Sequence, residues 1–401
     1  MGWLGLDDTD SLNGGCTTEV LFQLLENLPN DVTFSNPRLV RLWPFAKQRT
    51  RGNASVAVEL ISEDEQALLA FLDLWWQEHI SVLKGVLAES DHSERTQYPA
   101  DPGMVWTSEL IVDESFYNSA VSSEIQLQNL PDVTRYWGGS GRIGATAAVM
   151  WPTTPHTFEA IAWRMDDAEG SRQLDEEALN EVDELSDTFL CRNPKLGTSL
   201  LAPRGNSPVL FGIRSWTEAG ALRALAILES GDDTESIKGS LVFKTNQATG
   251  DHLNEPIEAV VRSKSILKNG HVVLDTSEGT WIAFRQSGNI ALLSQWVMKG
   301  DTLIGNGLLD AKRTLHLELL KVVNAISEQK RPLCIRCHKS MKSMGRNQGL
   351  RCKKCNITSD KGWVEVERTP PFTDWVQPPP SSRRHLSKPL DENSKHQNNI
   401  Y

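Results

Sequence analysis

An apolar strand, Trp3 to Leu6, runs straight into Asp7-Asp8-Thr9-Asp10, and Gly14-Gly15 and Thr17-Thr18-Glu19 follow at once. Carboxylates crowded at the end of a buried strand repel one another and want a cation. The two glycines free the backbone to bend closely around an anion. Thr17-Thr18-Glu19 supplies N-cap chemistry for a helix over Thr18 to Leu28, whose first N–H groups favour a phosphate. Strand, acidic turn, glycine bend and helix on one short stretch point to magnesium–nucleotide chemistry, with Asp7, Asp8 and Asp10 on the metal and Gly14 and Gly15 around the phosphates. The same letters also spell an acidic, solvated turn before a capped helix, because Asp and Gly are ordinary turn formers.

A chain of 401 residues exceeds what one hydrophobic core supports, so three or four modules are expected. No uninterrupted apolar run approaches membrane-spanning length and the N-terminus lacks the order of a signal peptide, which predicts no membrane partner. Six cysteines in so long a chain do not form a secreted disulfide framework, and the reducing cytoplasm is the expected compartment. The net charge of −11 argues against indiscriminate coating of nucleic acid, yet ten Lys/Arg lie between Gln329 and Lys361 against a single acid, Asp360. That local excess can neutralise phosphates whatever the total charge. Asp166 to Asp187 is the opposite, ten carboxylates against Arg172, and reads as solvated helix or as a cover for a cationic ligand.

The first hundred residues alternate strand and helix: strands at Arg38 to Leu42 and Val56 to Leu60, and a helix over Glu65 to Ala88 with Leu68, Leu72 and Trp75 near helical spacing. The segment GGSGRIGATAAVMW, 138 to 151, is either a ligand-hugging turn or a tight loop feeding a helix. From about Ser240 short β-rich runs appear, at Leu241 to Lys244, Ile257 to Ile266, His271 to Asp275, Thr280 to Arg285 and Ile290 to Leu293, which predict a small barrel of the OB kind. Lys244, Asn246, Gln247 and His252 stand at a strand end there, where they grip a sugar-phosphate backbone or close a hydrogen-bonded turn.

Cys334-x2-Cys337 and Cys352-x2-Cys355 present two thiolate pairs on two knuckles, the spacing of a structural zinc site. A closed four-sulfur shell leaves no open position for substrate, so this metal folds a module and does no chemistry. Lys339, Lys342, Arg346, Arg351, Lys353 and Lys354 surround the knuckles, as phosphate contacts or as a solvated basic surface. Beyond Trp363 the pattern is lost in proline runs and a polar tail, expected to be disordered.

In this order the segments DDTDSLNGGCTT (Asp7 to Thr18), RLVRLWP with TRGN (Arg38 to Pro44, Thr50 to Asn53), GSGRIGATAA (Gly139 to Ala148), NSPVLFGIRS (Asn206 to Ser215), TNQATGDH (Thr245 to His252) and the ribbon make a chain that resembles the archaeal isoleucine-tRNA 2-agmatinylcytidine synthetase family, TiaS, up to about Trp363. It departs from the family pattern at Ala283 to Gln286, at Cys191-Arg192-Asn193 and at His338, where glycine is common.

The resemblance implies a multidomain α/β and α+β fold: an ATP-binding kinase-like domain at 1–112, a ferredoxin-like domain on the agmatine side at 113–229, a tRNA-binding OB-fold barrel at 230–310, a tRNA-binding zinc ribbon at 311–366 and a disordered tail at 367–401. It also implies the reaction, in which ATP and agmatine convert the wobble cytidine of CAU-anticodon isoleucine tRNA to 2-agmatinylcytidine, so that AUA is read in place of AUG. The cofactors implied are ATP, magnesium and structural zinc; no obligate protein partner is expected. Arg51, Gly52 and Asn53 join the ATP site, Arg51 offsetting charge on the transferred group. Thr17 matches the family's self-phosphorylated threonine and Thr18 becomes a phosphate contact. Gly141, Arg142 and Gly144 help close the agmatine pocket. A non-enzymatic nucleic-acid binder accounts for the C-terminal third and leaves the acidic loop idle; a nucleoside or small-molecule kinase does the reverse.

Overall fold

The computed structural model describes residues 1–11, 14–47, 49, 53–85, 98–193, 196–203, 205–346, 348–360 and 362–390. It falls into two compact units, 1–254 with 380–401 and 255–379.

The first unit contains β1 (Gly2–Asp7), α1 (Thr17–Glu26), β2 (Thr33–Arg41), β3 (Ala54–Ile61), α2 (Glu65–Trp75), β4 (Gly103–Thr107), α3 (Glu114–Ser122), β5 (Arg135–Gly138), α4 (Arg142–Met150), β6 (Thr157–Arg164), α5 (Glu176–Glu184), β7 (Thr188–Phe189), β8 (Val209–Ser215), α6 (Glu218–Glu229) and β9 (Ile237–Thr245). One nine-stranded sheet takes all of its strands in the order β5-β4-β1-β3-β2-β9-β6-β8-β7. The two halves meet where β2 and β9 run parallel, Arg38 opposite Lys244 and Leu39 opposite Thr245. Strand β1 is central and buried on both faces, so its residues divide by parity. Leu4 and Leu6 pack with Leu21, Leu24, Leu68 and Leu72 of α1 and α2; Trp3 packs with Val149 and Trp151, at the α4 side. Gly5 permits that closeness: a Cβ there would stand 2.3 Å from the Ala145 carbonyl oxygen. Arg38, buried under α4, donates to the Val149 carbonyl at 2.7 Å and lies 3.6 Å from the centre of the Trp3 ring. It thereby satisfies a carbonyl at the C-terminal end of that helix.

The second unit contains β10 (Ile257–Ile266), β11 (Val272–Thr276), β12 (Gly279–Ala283), α7 (Asn289–Trp296), β13 (Thr302–Leu309), β14 (Leu315–Asn324), β15 (Glu328–Lys330), β16 (Lys342–Ser343), β17 (Leu350–Arg351), β18 (Thr358–Ser359) and β19 (Val364–Val366). The first three strands close with β14 and β13 into a five-stranded barrel, around Val261, Leu274, Trp281, Leu303 and Leu317. Three pairs of residues, β16-β17-β18, form the sheet beside the cysteines.

Several sequence expectations are corrected. The run Leu241 to Lys244 belongs to β9 of the large sheet, not to the barrel, and the barrel extends past 310 to Asn324. Ile290 to Leu293 is helical, since Ile290, Ala291, Leu293 and Ser294 are buried at one-three-four spacing along α7. The helix expected to reach Ala88 leaves α-geometry after Trp75, and 86–97 lie outside the described residues. Of the tail expected to be disordered over 367–401, the part 367–390 is packed and 391–401 lie outside the described residues: Val376 exchanges backbone bonds with Leu320 and is buried in the barrel core, and Leu386 is buried in the first unit. Val376 and Leu386 are isolated apolar anchors in proline-rich and polar sequence, each seated in a core that other elements build.

Candidate active site and metal centre

Asp7 closes β1 on the odd, α4-facing side, and the glycines of the α4 entrance bring the helix down onto it. A Cβ on Gly141 would stand 2.5 Å from the Asp7 carbonyl oxygen, and one on Gly144 would stand 1.9 Å from Asp7 Oδ2. Asp8 takes φ +59°, left-handed backbone that Asp tolerates. Its N–H donates to Asp7 Oδ1 at 2.7 Å, and its own Oδ2 accepts from the Asp101 N–H at 3.0 Å. Asp101 in turn accepts from the Ser140 N–H at 2.7 Å through Oδ2, while its carbonyl accepts from the Gly141 N–H at 2.9 Å. A lone Asp in a loop carries no motif, so sequence reasoning missed Asp101 as the tie between acidic turn and α4.

These residues form one wall of a cleft. Asp7, Asp8, Asp10, Asn53, Ser140, Gly141 and Gly144 line it together with Trp43, Lys47, Arg49 and Glu124. The structure therefore gathers the predicted acidic turn, Asn53 and two of the three predicted glycine-turn residues. Arg142 turns away: its guanidinium lies 4.2 Å from the Tyr136 ring centre, and its Nε donates to the Gly139 carbonyl. Arg51 and Gly52 lie outside the described residues. Lys47 and Arg49 are cleft cations the sequence reading passed over, although the basic run around them was the available signal.

Burial pushes the Asp7 carboxyl well above its usual range, and the Asp8 charge pushes it further, against a smaller opposing effect of the Asp8 N–H. A cation at the turn reverses that strain. Hard carboxylate oxygens suit magnesium, which keeps several waters and takes only one or two protein carboxylates beside substrate phosphates. Among the described residues only the cysteines form a group of three or more convergent ligand side chains, so Asp7, Asp8 and Asp10 do not converge as a set of three. Gly14 and Gly15 adopt φ of +153° and +81°, a conformation that favours glycine, and neither lines the cleft.

Other predicted residues sit elsewhere. Thr17 and Thr18 are 6% and 5% exposed in the first turn of α1. Their hydroxyls meet Thr9 Oγ1 at 3.1 Å and Trp163 Nε1 at 3.3 Å, and neither lines the cleft. The expected backbone grip at 244–252 is corrected as well. Asn246, Gln247 and His252 are buried; Asn246 bonds both backbone groups of Arg41 and the Tyr117 hydroxyl, and Gln247 donates to Glu159 and accepts from Arg214. The polar run closes the inside of the sheet, and Lys244, half-buried on β9, belongs to the same sheet.

In the second unit the ligand atoms of Cys334, Cys337, Cys352 and Cys355 all lie within 4.8 Å of one another, compatible with a tetrahedral zinc ion and Zn–S bonds of about 2.3 Å. Each knuckle turns on a left-handed residue, His338 at φ +54° and Asn356 at φ +55°, whose N–H groups donate to the Cys334 and Cys352 carbonyls. That is why glycine suits position 338. Lys339, Lys342, Arg346, Lys353 and Lys354 are exposed around the knuckles.

Family models match along the chain: the TiaS TCKD domain at 3–138, the TiaS FLD domain at 139–252 and the TiaS C-terminal zinc ribbon domain at 331–369. The isoleucine-tRNA 2-agmatinylcytidine synthetase TiaS of Archaeoglobus fulgidus is 30% identical over 97% of this chain and 96% of its own length. That of Methanocaldococcus jannaschii is 28% identical over 97% and 98%. The crystal structure of TiaS in complex with isoleucine tRNA, AMPCPP and agmatine superposes with a TM-score of 0.74 at 27% identity, covering 97% of this chain and 96% of that one. No described helix is long and apolar enough to cross a membrane. The chain belongs to the TiaS family of isoleucine-tRNA 2-agmatinylcytidine synthetases.

Proposed function

We propose that this protein uses ATP to join agmatine to the wobble cytidine of CAU-anticodon isoleucine tRNA, forming 2-agmatinylcytidine. The observation that carries the reading is the single cleft in which an acidic strand end, two cations and a glycine-lined helix entrance face one another. The domain roles follow the family: a kinase-like and a ferredoxin-like part share the large sheet, and an OB-fold barrel and the zinc ribbon hold tRNA.

The cytosine 2-carbonyl oxygen is a very poor leaving group, so an amine displaces it only after activation by a phosphoryl group. One or two of the carboxylates of Asp7, Asp8 and Asp10 would hold magnesium, which would supply charge neutralisation to the triphosphate when bound. Lys47 and Arg49 face the same phosphates and offset negative charge as it develops. Gly141 and Gly144 bring the start of α4 against the reacting groups with no side chain between. The exposed Lys339, Lys342, Arg346, Lys353 and Lys354 neutralise tRNA phosphates, and zinc holds the ribbon on which they stand.

Incubation with radiolabelled agmatine, ATP and the CAU-anticodon isoleucine tRNA tests the reading: label is expected in that tRNA and in no other. Asp8→Ala is expected to abolish incorporation with tRNA binding nearly unchanged. Absence of label with folded, zinc-loaded protein and intact tRNA overturns the proposal.

A further inference from the structure

After the second unit the chain returns to the first, where 380–390 are packed. The N–H groups of Ala248 and Gly250 donate to the carbonyls of His385 and Leu386, each at 2.8 Å, and Leu386 is buried in the cluster that contains Trp3, Tyr117 and Trp151. His385 Nδ1 donates to Gln247 Oε1 at 3.0 Å, the oxygen that Arg214 Nε reaches at 3.2 Å. One residue earlier, the Arg384 guanidinium lies 4.7 Å from the Phe45 ring centre. Phe45 meets Trp43 edge-on at 5.5 Å, and Trp43 lines the cleft beside Ala46, Lys47 and Arg49.

The stretch from Leu42 to Asn53 has no helix or strand of its own among its described residues. It is tied to the body by the Trp43 N–H on the Ala120 carbonyl at 3.0 Å and by Asn53 Nδ2 on the Trp43 carbonyl at 2.7 Å. Lys47 and Arg49 of this loop line the cleft together with Asp7, Asp8 and Asp10. The returning segment touches this loop through the aromatic pair Phe45 and Trp43, the second of which lines the cleft.

We infer that residues 383–387 are a strap that sets the cleft loop 43–49, with Arg384 as the positioning residue and Phe45 and Trp43 as its relay. The inference rests on the reading of the cleft as the ATP site. Arg384 is not among the residues that line the cleft; it fixes the loop from which Lys47 and Arg49 reach the phosphates. Leu386 and His385 anchor the strap, and Arg384 is the part that bears on the cleft.

The test uses the full-length, zinc-loaded protein with ATP and magnesium as the probe. In Arg384→Ala, calorimetry is expected to show ATP binding weakened about three- to fivefold, the scale of one lost cation–π contact. Amide hydrogen exchange at 43–49 is expected to rise, with thermal midpoint and tRNA affinity unchanged. Arg384→Lys is expected to recover part of the affinity, and Leu386→Ala to lower the thermal midpoint. Unchanged ATP affinity and unchanged exchange at 43–49 in Arg384→Ala overturn the inference. So does an affinity loss that only follows thermal stability in both the Arg384 and the Leu386 variants, which makes the segment a core seal. A wild-type protein that binds no ATP at all refutes the proposed function instead, and the exchange measurement still decides whether the strap sets the loop.

Discussion

Gly144 shows how closely the cleft is built at the level of single atoms. Its missing Cβ would collide with Asp7 Oδ2 at 1.9 Å and with Leu42 Cδ1 at 2.8 Å, so Gly144→Ala has to move the carboxylate or lift the helix. A displacement of about 1 Å costs on the order of a hundredfold in rate when positioning carries catalysis. Agmatine incorporation by Gly144→Ala is expected to fall by about that factor with tRNA affinity retained, as steady-state labelling and filter binding would measure; near-normal incorporation would show that the cleft tolerates movement of Asp7. The strap makes a second prediction at this scale. The positive charge of Arg41, burial and the charge of Arg214 together hold the His385 imidazole well below its ordinary value, and Gln247 and Glu159 complete the cluster. Above about pH 6.5 His385 is neutral whether packed or released, and it contributes no pH dependence. As pH falls below that value the released form takes up a proton that the packed form refuses, so stability falls. Thermal unfolding is expected to lose stability between about pH 6.5 and pH 5, with the loss reduced in His385→Asn; equal slopes in both proteins would remove His385 as the cause. Asp7, Asp8, Asp10, Gly141 and Gly144 were legible in the sequence because they stand in runs with a chemical logic. Asp101, Lys47 and Arg49 act by position in space, and His385 by the two arginines that surround it.

Among elements, α4 is the one on which the site depends, and its packing is written in glycines. Gly5 on β1 and Gly103 on β4 face it, and a Cβ on either would stand 2.3 Å from the Ala145 carbonyl oxygen or 1.9 Å from the Arg142 nitrogen. Backbone atoms cannot rotate aside. Gly5→Ala is therefore expected to destabilise the first unit by about 1–3 kcal/mol, the usual range for overpacking, as denaturant unfolding would measure; a change below about 0.5 kcal/mol would mean that α4 slides freely. Of this unit's nine strands the sequence identified runs within four, β1, β2, β3 and β9, and β1 and β3 are the clearest because they are apolar runs bounded by turn residues. Assignment of strands to sheets was less legible. Strand β9 has the length and composition of its barrel neighbours, and only its long-range pairing with β2 and β6 places it in the large sheet. Such pairing is set by tertiary packing, which local composition does not encode. Ile290 to Leu293 failed for the related reason that four apolar letters are too few to show a period.

Across the whole molecule, the chain makes two units with separate cores, and the ribbon in the second has the smallest apolar supply. Its buried cluster consists of Cys334, Met341, Leu350 and Cys352, with Cys337, Cys355 and Ile357 packed against it, beside a sheet whose three strands are two residues each. Four of those seven residues are the prospective ligands themselves, so metal coordination takes the place of a hydrophobic core and binding is tied to folding. The spacing of the cysteines disclosed the four-sulfur cluster, because two C-x2-C knuckles admit few other uses, whereas the return of 380–390 to the first unit was hidden in proline-rich sequence. Cys352→Ser removes one of four sulfurs and leaves the basic residues in place. It is expected to lose zinc, to unfold the ribbon over 331–369 and to weaken tRNA binding by about tenfold or more, because the basic residues that neutralise phosphates are no longer held in one array. Binding of ATP with magnesium to the first unit is expected to persist. Metal analysis, filter binding at fixed ionic strength and calorimetry on the same preparation measure the three quantities. Retained zinc would show that three sulfurs suffice, and unchanged tRNA affinity with zinc lost would move the RNA-binding surface away from the ribbon.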